Sequence, residues 1–356
     1  MHTPGTDRSD ELQQRIQEAV AQRRRLYLRG GGSKAFHVGP EEAEPLELGE
    51  HRGIVAYEPT ELVVTARAGT SLAELEAVLA EQGQILPFEP PHFQGGATIG
   101  GTVASGFSGP RRFALGTVRD AVLGVECING RGQRLRFGGV VMKNVAGYDL
   151  ARLLVGSFGN LACLLEISVK VLPAPEQEQT RLFELDYAAG LELIQRLTAE
   201  AVPVSASAYL DGCLHLRLSG PARVVAAAGE RIGGELAADG AVFWRELRDQ
   251  TLPFFRDPRP LWRLSLPPQT MLPELPGAAL SECGGQLVWL HDDGALQRLL
   301  PPLAAVGGHA RLFRAGSGAA VSSAAPPPAL AALLQRVKQS FDPNGIFTPT
   351  RRYGAI

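Results

Sequence analysis

Glycines gathered in two short segments are the residues of this chain best suited to chemistry. Residues 95–109 contain six glycines among small and hydroxyl side chains, and residues 29–34 read Arg-Gly-Gly-Gly-Ser-Lys. Glycine lets consecutive N–H groups turn toward one point, where an anion accepts charge-assisted hydrogen bonds worth about 1.5–3 kcal/mol each. Two such loops favour a long cofactor with a phosphate core over a mononucleotide.

Predicted strands and helices position both glycine segments. Residues 25–29 alternate as a strand that leads into the first segment, and residues 62–69 form a second strand. Thr70 or Ser71 can then cap a helix whose apolar residues have helical spacing. After the second glycine segment, strands over 120–128 and 133–137 flank Asn129-Gly130, which predicts a hairpin, and residues 167–172 predict another strand.

The composition is that of a folded protein. Of the 356 residues, 45% are apolar and 20% charged, and the formal net charge of −2 gives no support to nucleic-acid binding. The N-terminus lacks the basic-then-apolar pattern of a signal peptide, and no apolar run is long enough to cross a bilayer. We expect a cytoplasmic protein with no nucleic-acid partner and no direct membrane insertion, held at the inner membrane at most through a partner.

The cysteines exclude a common kind of metal centre. Cys127, Cys163, Cys213 and Cys283 are widely separated and form no Cys-x-x-Cys pair, so neither an iron–sulfur cluster nor a cysteine zinc site is expected. We interpret them as buried small apolar residues. Any metal relay would belong to another subunit.

The sequence pattern changes after Pro175. Glycine-rich loops are replaced by predicted strands that alternate with predicted helices. This pattern predicts an antiparallel sheet covered by helices, a ferredoxin-like α+β layer. The predicted strands are 181–187, 205–210, 213–218, 262–266, 286–291 and 310–314. The predicted helices are 191–200, 223–232 and 294–303, followed after Pro326-Pro327-Pro328 by a last helix over 330–341. No internal repeat is evident.

The glycine segments, residues 143–150 (KNVAGYDL) and residues 155–159 (VGSFG) together resemble FAD-binding proteins of the vanillyl-alcohol-oxidase type. The resemblance covers about residues 26–173, and residues 341–347 are similar to the segment that closes that family's fold. KNVAGYDL and VGSFG most resemble the smaller, FAD-binding E subunits of bacterial glycolate oxidases. The resemblance implies an α+β fold with a two-part PCMH-type FAD-binding domain (1–175), a ferredoxin-like antiparallel α+β cap domain (176–328), and a C-terminal helix and tail (329–356) that return to the first domain.

The resemblance also implies cofactor-binding residues. The first phosphate turn would be formed by Gly30, Gly31, Gly32, Ser33 and Lys34, the last able to neutralise the anion. The pyrophosphate and the flavin edge would be held by Gly95, Gly96, Ala97, Thr98, Ile99, Gly100 and Gly101, with Ser105, Gly106 and Ser108. The ribityl or ring region would lie beside Asp120 and the backbone of Val122, and a buried part of the cofactor would meet the backbone of Leu164.

Three departures from the family pattern matter. Where many relatives attach the flavin to a histidine, this chain has Ser33, so FAD should be bound non-covalently. An expected glycine is Ala162, whose methyl group would narrow the cofactor site. The cap lacks the paired metal-binding histidines of the larger catalytic relatives, because its histidines, His215, His291 and His309, are isolated in sequence.

The function implied by the resemblance is that of the FAD-binding subunit of a glycolate oxidase. Glycolate would be oxidised to glyoxylate, with a hydride passing to the flavin and electrons leaving through an iron–sulfur subunit. A larger FAD-linked subunit bearing the histidines would carry the substrate chemistry. Two alternatives stay open: a self-sufficient flavin dehydrogenase of another 2-hydroxy acid or a sugar alcohol, and a degenerate flavin fold retained for assembly.

Several other side chains have both a chemical and an ordinary interpretation. Lys143 could face the flavin, but a surface lysine neutralised by Asp149 is favoured. Arg111 and Arg112 could pair with phosphate or with a partner's carboxylates, or could lie in a solvated turn. His291 could bind metal, but a surface cluster at a strand end is favoured. Core packing is expected for the tryptophans Trp244, Trp262 and Trp289.

Overall fold

A computed structural model describes residues 5–36, 43–139, 149–268, 270, 272, 279–292, 296–315 and 327–348. The chain divides into two compact units. Unit 1 comprises described residues within Met1–Ser108, Gly116–Ala174 and Ala325–Ile356, and unit 2 those within Gly109–Leu115 and Pro175–Ala324. Residues 109–115, which fall inside the predicted first domain, therefore belong to unit 2.

The described residues form eleven α-helices and seventeen strands. The helices are α1 Ser9–Gln22, α2 Leu72–Ala80, α3 Ile99–Ser105, α4 Arg112–Leu115, α5 Val118–Ala121, α6 Leu150–Leu154, α7 Tyr187–Ala199, α8 Ala222–Ile232, α9 Gly240–Asp249, α10 Leu296–Ala305 and α11 Pro328–Phe341. The strands are β1 Leu26–Arg29, β2 Glu44–Glu47, β3 Ile54–Glu58, β4 Val63–Arg67, β5 Gln84–Ile85, β6 Val122–Asn129, β7 Arg134–Gly138, β8 Ala162–Lys170, β9 Leu172–Pro173, β10 Gln177–Glu184, β11 Val204–Leu210, β12 Cys213–Gly220, β13 Glu235–Leu236, β14 Leu261–Ser265, β15 Ala279–Glu282, β16 Leu287–His291 and β17 His309–Arg314. Among the helices described, none is long and apolar enough to span a membrane.

Unit 1 contains a five-stranded antiparallel sheet in the order β3-β4-β8-β6-β7. Buried residues of its strands pack with α2, α3 and α6 in one apolar core that includes Leu72, Ile99, Leu154 and Ile167. Strands β1 and β2 form a separate parallel pair, and α1 packs against them through Leu12 and Ile16. The sheet and the β1–β2 pair therefore give unit 1 its two-part organisation.

The C-terminal tail completes the β1–β2 part. Phe347 pairs with Leu26 in parallel, and both residues are buried. The Asp342 carboxylate accepts hydrogen bonds from the Ile346 and Phe347 N–H groups, both 2.9 Å, and from Lys338 Nζ at 2.6 Å. These contacts tie the end of α11 to β1.

Local sequence signals in unit 1 work as predicted. Ser71 caps α2 by accepting a hydrogen bond from Glu74 N at 3.1 Å. The hairpin at Asn129 is confirmed, since β6 and β7 pair and the Asn129 side chain accepts from the Arg131 and Gln133 N–H groups. Strand β6 begins at Val122 instead of residue 120 because α5 occupies the residues before it, and β8 begins five residues before the predicted strand.

Unit 2 is built on an eight-stranded antiparallel sheet in the order β13-β10-β12-β11-β15-β16-β14-β17. The segment from β10 to β13 runs strand–helix–strand–strand–helix–strand, which is the predicted ferredoxin-like arrangement. The strands from β14 to β17 have the same order when read inward from the opposite edge of the sheet, β17-β14-β16-β15. The two halves join where β11 pairs with β15. The predicted layer is therefore doubled, which the sequence does not reveal because unrelated residues fill equivalent positions.

Some predicted boundaries in unit 2 are wrong. The strand expected over 181–187 is β10, which ends at Glu184, because Asp186 caps α7 by accepting a hydrogen bond from Ala189 N at 2.8 Å. Helix α9 and strand β15 were not expected. Core packing of the tryptophans is confirmed, with Trp244, Trp262 and Trp289 between 2% and 6% exposed.

Candidate functional site

The two glycine segments meet in unit 1 at the edge of a cavity of about 240 Å³. A Cβ atom added to Gly31 would lie 1.7 Å from the Gly96 carbonyl oxygen, and one added to Gly30 would lie 2.6 Å from Thr98 Oγ1. No larger residue could occupy either position with the backbone as it stands. The close approach of the loops, more than any freedom to adopt unusual torsions, requires glycine here.

The predicted cofactor residues lie in two groups. The lining of the cleft includes Gly30, Gly31, Gly32, Ser33, Lys34, Thr98, Gly100, Gly101, Ser105 and Leu164. The others do not line it: Gly95, Gly96, Ala97, Ile99, Gly106, Ser108, Asp120 and Val122. A role in binding cofactor stays a prediction for the residues of both groups.

The residues outside the lining support the cleft or the core. The side chains of Ala97, Ile99 and Val122 are buried in the apolar core of unit 1. The Asp120 carboxylate accepts hydrogen bonds from Thr117 N at 2.8 Å and Thr117 Oγ1 at 2.7 Å, and these bonds lower the pKa of Asp120. Its side chain therefore caps α5.

The remaining glycines and serines hold backbone segments close together. A Cβ atom on Gly106 would lie 3.2 Å from Gly156 Cα, so these two backbones are in contact. Ser108 Oγ accepts a hydrogen bond from Val118 N at 3.0 Å, and the lining residue Ser105 donates to Thr102 O at 3.1 Å. Gly96 packs against Gly31, as described above.

Lys34 is a cation in the lining of the cleft, and the other described lining cation, Arg29, pairs with Glu47. The Nζ atom of Lys34 lies 5.4 Å from the centre of the Phe93 ring and 3.4 Å from Ser33 Oγ. In the part of the chain that the structure describes, no carboxylate lies within ion-pairing distance of Lys34. Burial lowers the pKa of Lys34 to about 8. A half-buried ammonium group without a counter-ion is suited to receive an anion.

The loop that carries Lys34 has hydrogen-bond donors to spare. The N–H groups of residues 30–34 donate to no acceptor in the described residues, whereas those of Ile99, Gly100 and Gly101 in α3 already bond to Thr70, Ala68 and Thr98. Available donors and a cation therefore belong to the first glycine segment. This donor set fits a diphosphate, and the apolar remainder of the cleft fits a ring system.

Sequence reasoning missed part of the apolar wall. The additional apolar lining residues are Tyr27, Leu28, Ala35, Leu48, Ala68, Ala104, Phe158 and Gly159. Of these, Phe158 and Gly159 belong to the VGSFG motif, and both have positive φ, +53° and +77°. The motif was a usable signal because it carries the family resemblance, whereas the positive φ of Phe158 is visible only in the structure.

Two of the departures in sequence fall on the cleft. Ser33 lines it, at the position where many relatives have a histidine, and non-covalent binding of FAD stays a prediction. Ala162 is 1% exposed and lines the cleft, and narrowing of the cofactor site by its methyl group stays a prediction.

The other candidate side chains that the structure describes bond to residues outside the cleft. Arg111 is 8% exposed and bonds Glu178 at 2.9 Å, and Arg112 Nε donates to Cys283 Sγ at 3.2 Å, so the solvated turn is wrong. His291 is buried, and its Nε2 lies 2.8 Å from Phe254 O, so the surface-cluster interpretation is wrong too. Lys143 lies outside the described residues.

The histidines and cysteines form no metal centre in the described ranges. His215 stacks on Phe243, and His291 and His309 lie on strands separated by β14. No group of three or more potential metal ligands occurs among the residues described. Cys127, Cys163 and Cys283 are buried free thiols as expected, whereas Cys213 is half-buried.

Comparisons with known proteins agree with the cleft. Residues 6–138 match the family model of an FAD binding domain. The glycolate oxidase subunit GlcE of Escherichia coli (strain K12) is 45% identical over 98% of this chain and 99% of its own length. This chain belongs to the GlcE family. FAD is therefore its cofactor, and it is a subunit of an FAD-dependent oxidoreductase.

More distant relatives share the FAD-binding part. The glycolate oxidase subunit GlcD of Bacillus subtilis (strain 168) is 30% identical over 57% of this GlcE-family chain, a match that spans 44% of GlcD. A solved structure of alkyldihydroxyacetonephosphate synthase covers 96% of this chain and 75% of that one, with a TM-score of 0.69 and 17% identity. The structural likeness shows that the fold is shared.

Proposed function

We propose that this chain is the FAD-binding subunit of a complex that oxidises glycolate to glyoxylate. The observation that carries the proposal is the 45% identity to GlcE over nearly the full length of both chains. The cleft supports it independently, because its glycine turn and Lys34 suit the diphosphate of FAD. Electrons would leave through an iron–sulfur subunit.

The substrate chemistry is assigned to a larger FAD-linked partner. Oxidation of a 2-hydroxy acid requires a group that takes the hydroxyl proton while a hydride leaves the carbon. In unit 2 of this chain His215 stacks on Phe243, and His291 faces backbone carbonyl oxygens. His215, His291 and His309 lie on β12, β16 and β17, no two of which are neighbouring strands of the sheet. We therefore infer that the partner supplies the base.

The role of this chain's residues is to bind and orient. When bound, FAD supplies the redox chemistry by accepting two electrons and passing them on. The N–H groups of residues 30–34 and the Lys34 ammonium group would hold its diphosphate. Leu164, Phe158 and Ala162 would exclude water from the part of the cofactor that lies against them.

An anaerobic titration tests this assignment. The isolated chain is loaded with FAD, and its visible spectrum is followed as glycolate is added without oxygen. We expect a bound-flavin spectrum that stays oxidised. The same titration of a reconstituted complex should bleach the flavin and form glyoxylate.

Controls separate the alternatives. Lys34→Gln should weaken FAD binding, whereas Lys170→Gln, at the end of β8 and outside the cleft lining, should not. Bleaching by the isolated chain would instead establish a self-sufficient dehydrogenase. Normal glycolate oxidation by a complex that lacks this chain would refute the proposal, and a folded chain with no affinity for FAD would indicate an assembly subunit.

A further inference from the structure

Lys34 and the phenylalanine beneath it suggest how FAD affinity depends on pH. We propose that Lys34 meets the diphosphate of FAD as an ammonium group but loses its proton readily in the empty cleft, so that binding FAD takes up a proton from solvent. The inference rests on the FAD binding described above and names the group that makes this binding sensitive to pH.

The surroundings of Lys34 desolvate its amine without neutralising it. The lining of the cleft comes from residues 27–35, from Leu48 after β2 and Ala68 after β4, from Thr98 and α3, and from residues within 158–164. Among the described lining residues, the other charged side chain is Arg29, which pairs with Glu47, and Tyr27 is a further titratable group. Within the described residues no carboxylate favours the charged form of Lys34, while burial disfavours it.

Phe93 fixes the position of the amine. Its ring is 9% exposed and lies between the edges of Phe36 and Phe107, with ring centres 5.7 Å and 6.2 Å away. The Phe93 backbone has a φ of +45°, an uncommon conformation for a bulky residue. An aromatic face attracts a cation more weakly than a carboxylate does, so Phe93 orients Lys34 and leaves its charge available to a ligand.

The amine also faces the other glycine segment. A Cβ atom added to Gly101 would lie 3.9 Å from Lys34 Nζ and 3.2 Å from Thr98 Oγ1. The Lys34 side chain thus extends across the cleft from the first loop toward the start of α3. An anion held by the N–H groups of residues 30–34 would lie beside the ammonium group.

The direction of the pH dependence follows from the two protonation states. With a pKa of about 8 in the free cleft, Lys34 is charged below pH 7, and the Kd for FAD is constant there. Above pH 8 most of the free protein has a neutral Lys34, which must take up a proton before it can pair with the diphosphate, so the apparent affinity falls. The Kd should therefore rise ~10-fold between pH 7 and pH 9, while riboflavin, which has no phosphate, should show no such rise.

The test is a fluorescence titration of apoprotein with FAD at several pH values from 6.5 to 9. Lys34→Arg should bind FAD with a Kd that stays flat over this range, because guanidinium does not lose its proton. Lys34→Gln should bind weakly at every pH, and Lys170→Gln should behave as the wild type. Phe93→Leu should move the rise in Kd to lower pH. A potentiometric titration at pH 8 should detect uptake of about half a proton per FAD.

The outcomes discriminate between this inference and FAD binding itself. A wild-type Kd that stays constant from pH 7 to pH 9, or Lys34→Arg with the wild-type slope, would overturn the proton linkage while leaving FAD binding intact. Absence of FAD binding at every pH would overturn the proposed cofactor role instead. If Phe93→Leu leaves the pH at which the Kd rises unchanged, Phe93 does not contribute to the protonation of Lys34.

Discussion

Gly31→Ala gives the sharpest test of the contact between the two glycine segments. The new Cβ atom would lie 1.7 Å from the Gly96 carbonyl oxygen, where real Cβ atoms essentially never come closer than 3.0 Å. The atom in the way belongs to the backbone. The approach is close from the other side too, since a Cβ atom on Gly96 would lie 3.1 Å from the Gly31 carbonyl oxygen. No flexible side chain can move aside, so one loop must shift by more than about 1 Å.

The cost of that shift should appear in cofactor affinity. A displaced loop would lose at least one charge-assisted hydrogen bond to the diphosphate, worth about 1.5–3 kcal/mol. Gly31 is exposed, so we expect the loop to move without unfolding the core. Since ~1.4 kcal/mol corresponds to a factor of ten in Kd, the displaced donors should weaken FAD binding about 10- to 100-fold. The free energy of unfolding should change by less than ~1 kcal/mol.

Gly49→Ala is the matched control. It makes the same chemical change near the same loop, but its Cβ atom would meet the Gly30 carbonyl oxygen at 3.9 Å, an ordinary contact. Flavin fluorescence titrations give the Kd of each variant, and urea denaturation gives its stability. Wild-type affinity in Gly31→Ala, or an equal loss in Gly49→Ala, would refute the reasoning from loop contact.

Three further predictions concern the cleft wall, the C-terminal tail and the N-terminal segment. Ala162→Leu should weaken FAD binding at least ~10-fold in the same titration, because the added carbons enter the cleft. Lys338→Met should lower the free energy of unfolding by about 3 kcal/mol in urea, because the fully buried Asp342 carboxylate loses its cation. Burial lowers the pKa of His51, against the influence of Asp7, and His51 accepts the Arg8 N–H bond through Nδ1. Stability should therefore fall as the pH drops below His51's unfolded value of 6.5 toward 5, and His51→Gln should flatten that fall in denaturation midpoints measured across this range.

Much of unit 1 was predictable because its signals are local. The Ser71 cap depends on residues three apart, and the hairpin at Asn129 depends on its own side chain bonding to nearby N–H groups. The glycine segments were informative for a related reason, since Gly31 is required by one close approach that no other residue permits. Such features are fixed by residue type and short spacing.

Features that depend on distant partners were not predictable in the same way. Arg111 is far from Glu178 in sequence, and the carbonyl oxygens that face His291 come from residues more than thirty positions away. The doubled sheet of unit 2 also escaped prediction, because strand order depends on which edges β11 and β15 present to each other. A polar residue has the same appearance in sequence whether solvent or a buried partner satisfies it.

The sequence by itself determined that this protein has glycine turns for a phosphate-bearing cofactor, a strand–helix frame to hold them, and a family in which that cofactor is FAD. For the residues it describes, only the tertiary structure decided which loop has unused donors, that Lys34 lies over Phe93 without a carboxylate beside it, and that Asp120 caps a helix. The reason is physical. Backbone conformation is encoded by neighbours along the chain, whereas the charge, burial and hydrogen-bonding of a side chain depend on atoms that only folding brings near.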